Sequence, residues 1–556
     1  MAEIAAASTA VILSPDTDVA RRVRRATSTV PGIEVRPEPG APRRQQAVIV
    51  ASLVGLAFLL RIPNLTRAYW VDEGISIGIA SHRLSQIPAL LRLDGSPPLF
   101  YAVLHFWLRA FGGSEVSTHT LSLLLSLLVV PIAWWSGRTL FGPAAGVCAA
   151  ALAATNPFLN WFSTESRMYP LVCGLAIVGV TLAIRATRPG GRTHDAVRDG
   201  ILAAAAFAAL LYTHNWAIYL LVVTTAVLGG RALIRRDWRQ AAGVAAAAGG
   251  VGLAYLPWLP TFLYQARHTA APWAVSPSVG DFFADPASVL GGTLGAVILP
   301  VLAVGAAGTW WLRNSEENVT ANLVGGIGVF TVVAGWVAAQ IEPSWTSRYL
   351  AVALGPLLVA LGGAFGSTRL GRRIVAAPVV ALVAWSVIGS LIPDPNATFA
   401  KSNVAAIAAA AAPDLVPGDL VVVTQTEQVA VLAHYLPAGL QFVTPTGPVS
   451  DPGIVDWRDL VGRLSRADPC RTVAPALDAL PAGAHVLVVN PLKKLGASGS
   501  TWSRTVTAQV GAVARLVDTD PGLVHTAGFT MATKPKPFSA VTGSLFAKAA
   551  GRAACP

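Results

Sequence analysis

Trp70-Val71-Asp72-Glu73-Gly74, placed shortly after an apolar run from Gln46 to Ile62, is the stretch on which this chain turns. Ionised groups beside a membrane-spanning segment are costly, so two adjacent carboxylates there mark a functional candidate. Flanked by an aromatic residue and a glycine, the pair reads as the lip of a pocket. The weight of that expectation depends on whether the run before it crosses a membrane. Of 556 residues, 53% are hydrophobic and 13% charged, a balance that no soluble globular domain sustains along most of its length. The sequence predicts a polytopic membrane protein.

Apolar runs of roughly 17 to 25 residues suit a bilayer core. They fall near 46–62, 117–138, 142–160, 168–187, 199–213, 215–230, 241–262, 288–312, 321–341, 349–367 and 374–392. The fifth and sixth share the junction Tyr212–Trp216. Arginine placement tests this ladder, because cytoplasmic loops carry the excess of basic residues. With the Arg-rich N-terminus inside (Arg21, Arg22, Arg24, Arg25, Arg36, Arg43, Arg44), the inner loops hold Arg138; Arg185, Arg188, Arg192 and Arg198; Arg231, Arg235, Arg236 and Arg239; Arg313; and Arg369, Arg372 and Arg373. About eleven spans then leave the Asp72-Glu73 loop and everything beyond Pro393 outside. The expected domains are a cytoplasmic, disordered tail over 1–45, a transmembrane catalytic domain over 46–393 and an extracytoplasmic α/β domain over 394–556. The tail is a poor cleavable signal peptide. The net charge of +12 invites a nucleic-acid partner. Its arginines follow the topology rule instead and lack interleaved aromatics, so the sequence predicts membrane lipid and no nucleic acid as partner.

Beyond Pro393 the pattern changes. Asp419-Leu-Val-Val-Val-Thr424 and His485-Val-Leu-Val-Val-Asn490 are short apolar runs typical of strands buried on both faces. Helical patterns fit near 402–412, 427–435, 456–466 and 504–517. The alternation predicts a small α/β domain, with no G-x-G-x-x-G fingerprint and no repeat. No nucleophile or paired-acid motif stands out within it, which suggests a cover or docking module. Cys148 and Cys173 fall in predicted spans. Cys470 and Cys555 fall in the outer segment, where a disulfide is permitted, and no cysteine spacing suggests structural zinc.

Unusual polar residues collect on the outer side: Asp94-Gly-Ser-Pro-Pro-Leu-Phe-Tyr101, opening an interfacial amphipathic stretch to Phe111; Glu165-Ser-Arg-Met-Tyr169; Tyr212-Thr-His-Asn-Trp216; Gln265-Ala-Arg-His268; and Glu342-Pro-Ser-Trp-Thr-Ser-Arg-Tyr349. A lone Trp or Tyr at an interface is more often an anchor, and a lone Arg at a helix end more often snorkels. Their convergence on one side supplies a carboxylate base, cations for phosphate and aromatic faces for sugar rings.

In these motifs the chain resembles the GT-C glycosyltransferases that use polyprenyl-phosphate sugars, in the branch related to protein O-mannosyltransferases. Trp70-Val-Asp-Glu-Gly74, Gly95-Ser-Pro-Pro-Leu99, Ser166-Arg-Met-Tyr169, Tyr212-Thr-His214 and Ser347-Arg-Tyr349 look like the pattern of actinobacterial membrane mannosyltransferases, including those that start the mannose caps of lipoarabinomannan. The resemblance covers about residues 46–393, with Asp419–Thr424 and Asp456-Trp-Arg458 as its marks in the tail. It implies inverting transfer of mannose from polyprenyl-phosphate mannose to a glycolipid or polysaccharide acceptor such as the arabinan of lipoarabinomannan. Other sugars, arabinofuranose among them, fit the same residue types.

On that resemblance Asp72 is the expected general base, with Glu73 orienting it or binding the acceptor, or the two roles reversed. Arg348 and Arg167 are expected on the leaving phosphate, with His214 as a further donor and Arg267 as a weaker alternative. Trp70, Tyr101, Tyr169 and Tyr349 are the expected substrate-binding surfaces. No cofactor is implied, although an acid pair is a partial ligand set for a divalent cation. An envelope transporter and a non-catalytic scaffold are the other classes. A transporter would place polar groups near the midplane, and a scaffold leaves Asp72-Glu73 without a purpose. The oligomeric state stays open.

Overall fold

The computed structural model describes residues 43–269, 271–291, 316–366, 401–492, 500–530, 539–551 and 555. Six helices among them are long and apolar enough to cross a membrane: Arg44–Asn64, Glu115–Phe141, Tyr169–Ala186, Ala217–Ile234, Asn322–Ile341 and Ser347–Gly366. The helices Trp238–Tyr255 and Leu259–His268, bent by 75° at their junction, make a seventh if taken as one span. The protein is therefore a multi-pass membrane protein. The span expected at 142–160 is shorter: helix Pro143–Thr155 stops at Asn156, which caps a new helix, Pro157–Phe162, by accepting from Leu159 N. Asn followed by Pro favours this break, because Asn suits the cap and Pro suits the first helical turn. The expected fifth span is helix Thr193–Leu211, whose first turns carry Asp195, Arg198 and Asp199. The spans expected at 288–312 and 374–392 lie largely or wholly outside the described residues. So do the tail up to residue 42 and Arg313, Arg369, Arg372 and Arg373.

The described basic loops gather at one end of the bundle. Arg138 donates to Gln46, Arg188 Nη2 donates to Leu140 O at 3.1 Å, and Gln240 donates to Thr187 O at 2.6 Å. Toward the other end Arg61, fully buried, donates to Ser126 O, Ala153 O, Ala154 O and Asn160 Oδ1 at 3.0–3.2 Å. The bonds to Ala153 O and Ala154 O close carbonyls that the end of helix Pro143–Thr155 leaves open, and the set ties the helix of Arg61 to three others beneath the loops of the site.

The C-terminal domain is built on a six-stranded sheet in the order β3-β2-β1-β4-β6-β5: β1 (Leu420–Val423), β2 (Gln441–Thr444), β3 (Gly447–Val449), β4 (His485–Pro491), β5 (Leu523–Phe529) and β6 (Val541–Lys548). β1 runs parallel to β2 and β4, while β3, β5 and β6 join antiparallel. Alternation assigns Val421 and Val423 to one face, under helices Val404–Ala411 and Val429–Tyr435, and Leu420 and Val422 to the other, under helix Thr501–Thr519. Central strands covered on both faces are the two that the sequence predicts. Cys470 and Cys555 form a disulfide, with Cα atoms 5.7 Å apart.

This domain packs on helix Val71–Ser81. A Cβ on Gly74 would meet the Val431 backbone at 2.7 Å, and one on Gly78 would meet Gly453 O at 2.0 Å. Two glycines one turn apart thus let the helix lie against the domain. Tyr435 Oη accepts from Tyr69 N and donates to Glu115 Oε1, both at 2.8 Å. Farther along, Trp457 N donates to Leu93 O at 3.0 Å and Asp459 N to His268 O at 2.8 Å.

Candidate active site

Asp72 and Glu73 sit in the first turn of helix Val71–Ser81, whose open N–H groups favour negative charge. Consecutive helical residues point roughly 100° apart, and here that angle separates the pair. Asp72 lines a cavity of ≈ 270 Å³, together with Asp94, Arg167, His214, Arg348 and Tyr349. Glu73 is wholly buried away from it.

Asp72 Oδ2 lies 3.0 Å from Arg348 Nη1 and 3.8 Å from Arg167 Nη2. Arg348 belongs to a 3₁₀ turn, Ser347–Leu350, that leads into helix Ala351–Gly366, and its guanidinium sits 5.6 Å from the Trp70 ring and 5.7 Å from that of Tyr349. Arg167 Nη1 donates to Ser76 Oγ at 3.0 Å and Tyr101 Oη at 3.4 Å, and Tyr101 in turn donates to Asp94 Oδ2 at 3.3 Å. Burial pushes the Asp94 carboxyl up, an effect that Ser96 and Arg167 oppose. Among the described residues the Nε atoms of both arginines have no hydrogen-bond partner. Each guanidinium thus keeps a donor in reserve.

His214 joins helices Thr193–Leu211 and Ala217–Ile234, with its ring 4.9 Å from that of Tyr349. Trp216 N donates to Nδ1 at 3.1 Å, which fixes the proton of the neutral ring on Nε2. Burial, reinforced by Arg167 and Arg348, pushes this His down to about 3. At neutral pH it is an uncharged donor.

The structure therefore brings together Asp72, Arg348, Arg167, His214 and Tyr349. It buries Tyr101 and Tyr169 completely and Trp70 to 8% exposure, so these three brace the charged groups rather than face the cavity. Arg267 is exposed on helix Leu259–His268 and does not line the cavity. Its neighbours Gln265, Ala266 and Thr269 do line it, so the helix end reaches the site while Arg267 stands on the exposed side.

Glu73 faces a second constellation that the sequence does not reveal. Its Oε1 is 2.7 Å from His119 Nε2 and accepts from Ser166 N at 2.8 Å, and Oε2 is 3.5 Å from Lys401 Nζ. Lys401 also lies 3.6 Å from Glu165 Oε1 and donates to Thr164 O at 2.5 Å. Burial alone would raise the Glu73 carboxyl, but Lys401 and His119 outweigh it and hold the group well below the usual carboxylate range. For Glu165 burial wins: Lys401 opposes it, Glu73 and Asp72 reinforce it, and the carboxyl is pushed up. Because Asp72 is paired with arginines and Glu73 with Lys401 and His119, the acid pair does not converge on a shared cation. Among the described residues no group of three His, Cys, Asp or Glu could hold a metal ion. Lys401 stands in no motif, and only its burial marks it. Trp457 of the C-terminal domain, also unmarked as a site residue, lines the cavity and lies 4.8 Å from Trp273, ring to ring.

No family model and no curated protein matches the sequence. Solved structures do match. ArnT from Cupriavidus metallidurans bound to undecaprenyl phosphate is 16% identical, with a TM-score of 0.56 over 93% of this chain and 100% of that one. In its apo state the same protein gives 0.59 at 16% identity, over 92% and 99%. The arabinofuranosyltransferase AftD from Mycobacteria is 15% identical, with a TM-score of 0.51 over 92% of this chain and 40% of that chain. The bundle and its C-terminal sheet domain together share the fold of ArnT and of the matching part of AftD.

Proposed function

We propose that this protein is an inverting membrane glycosyltransferase. It takes a sugar, mannose on the resemblance of its motifs, from polyprenyl phosphate and delivers it to a hydroxyl of a cell-envelope glycan such as the arabinan of lipoarabinomannan. The observation that carries this reading is a carboxylate, Asp72, flanked by two guanidiniums on the wall of a cavity at the end of the bundle away from the basic loops. On the proposed topology that end is extracytoplasmic. The shared fold with ArnT, solved with undecaprenyl phosphate, supports a lipid-phosphate donor.

The donor phosphate takes Arg348 and Arg167 as partners, and Arg348 thereby exchanges a carboxylate for a phosphate, both of which match its planar fork. Asp72, so released, accepts the proton of the acceptor hydroxyl. The acceptor oxygen bonds to the anomeric carbon as the bond to the phosphate oxygen breaks, and the electron pair leaves with the phosphate. His214 Nε2–H and the two arginines stabilise the charge that develops there. Trp273 and Trp457 offer ring faces for acceptor sugars.

The test is isotope transfer by the reconstituted protein from polyprenyl-phosphate mannose, with polyprenyl-phosphate arabinofuranose as a second arm, to an arabinan acceptor. Transfer by the wild type that vanishes in Asp72→Asn supports the proposal. Transfer from neither donor, or full turnover by Asp72→Asn, overturns it.

A further inference from the structure

Lys401 is a lysine only 2% exposed, and nothing in the transfer chemistry requires it. Its backbone belongs to the C-terminal domain: Lys401 O accepts from Ser539 N at 3.0 Å, Ser402 bridges Ser539, and Asn403 exchanges two 2.8 Å hydrogen bonds with Val541 of β6. Its ammonium ends between Glu73 and Glu165 in the membrane-domain loops.

Each carboxylate is a chain neighbour of a site residue. Glu73 follows Asp72, and Glu165 precedes Arg167 by one intervening residue, Ser166, whose N–H is itself bonded to Glu73. We propose that Lys401 is a positioning residue, through which the docked C-terminal domain sets the spacing of Asp72 and Arg167. The charge balance supports this. Three acids, Asp72, Glu73 and Glu165, meet within the two loops, and Lys401 is the cation that serves Glu73 and Glu165 together. Without it the two buried carboxyls lose the partner that holds them together across the two segments, and the shift reaches Asp72 and Arg167 through one or two peptide units. Arg348, carried on its own 3₁₀ turn, does not hang on this cluster. A split effect follows: the base and Arg167 lose register while phosphate capture by Arg348 persists.

The inference rests on the proposed function for its turnover measurement only. The full-length protein in nanodiscs is compared with Lys401→Met and with Lys401→Met combined with Glu165→Gln, the second change removing the acid that most needs the ammonium. Sub-ångström to ångström misplacement of reacting groups costs up to about 100-fold in rate. Turnover in Lys401→Met is therefore expected to fall by about 10-fold to 100-fold, with affinity for undecaprenyl phosphate weakened, through Arg167, by clearly less than in Arg348→Ala. Deuterium uptake should rise over 71–76 and 164–168 and stay low in β1 and β4, and the double variant should regain part of both losses.

Unchanged turnover or unchanged exchange over those two segments overturns the proposal. So does loss of protection throughout β1 and β4 without recovery in the double variant, which would make Lys401 a fold determinant alone. If the wild type transfers no sugar tested, the proposed function fails, while exchange and lipid-phosphate binding still decide the role of Lys401.

Discussion

Asp72 and Glu73 are adjacent in the chain and occupy different surroundings, and substitution separates them. Asp72→Asn keeps shape but removes the proposed base, so turnover should fall by about 100-fold to 10,000-fold with the protein inserted and folded; melting and transfer assays on one preparation check both. Arg348→Lys keeps charge and loses the fork, so binding of undecaprenyl phosphate should weaken. Arg348→Ala should cost about 2–5 kcal/mol in the same titration. Equal affinity in wild type and Arg348→Ala would remove the phosphate role and leave Arg167. His214 gives a pH signature. Its folded value of about 3 lies below the ordinary 6.5, so between these values the unfolded chain binds a proton that the folded chain refuses. Stability contributed by the neutral ring is lost as pH falls through that window. His214→Gln removes the effect, and its melting temperature should drop less than the wild type's between about pH 7 and pH 4.5. Parallel profiles would show the ring to be solvated. The sequence made Asp72, Arg167, His214 and Arg348 legible because each is an unusual polar group beside a span. It could not tell lining from bracing at Trp70, Tyr101 and Tyr169, since that depends on which way each ring turns in the folded loops.

Among the elements, helix Val71–Ser81 is the most constrained by its neighbours. Gly74→Ala pushes a methyl group into the Val431 backbone, and overpacking of this kind costs about 1–3 kcal/mol. Gly55, with nothing within 4 Å of its would-be Cβ, is the control; alanine there should be neutral or slightly stabilising, as in other helix interiors. Thermal melts of the two variants check the contrast, and equal midpoints would show that the helix is free to back away from the domain. Periodicity exposes the long spans and the doubly covered strands β1 and β4. It misses β5, whose edge residues His525 and Thr526 face solvent, and β2 and β3, which are too short to show a pattern. The bend after Tyr255 escapes it too, because Leu256-Pro-Trp-Leu-Pro continues the apolar run across the break.

At the scale of the whole molecule, the disulfide between Cys470 and Cys555 spans 85 positions. Closing such a loop stabilises by roughly 4 to 5 kcal/mol in the chain-entropy model. Cys470→Ser should lower the melting temperature of the C-terminal domain, and a reductant should do the same to the wild type with no further effect on the variant. Reporter fusions at residues 20 and 395 check the proposed topology: opposite compartments are expected, and a shared one would detach the C-terminal domain from the site. Glu73 and Lys401, finally, are 328 positions apart. At roughly 5–20 residues per second of synthesis the ammonium is made about 15 to 65 seconds after its carboxylate. Until then the acid has His119 beside it but not the ammonium, so the buried cluster around Glu73 is completed only once the domain that carries Lys401 has been made.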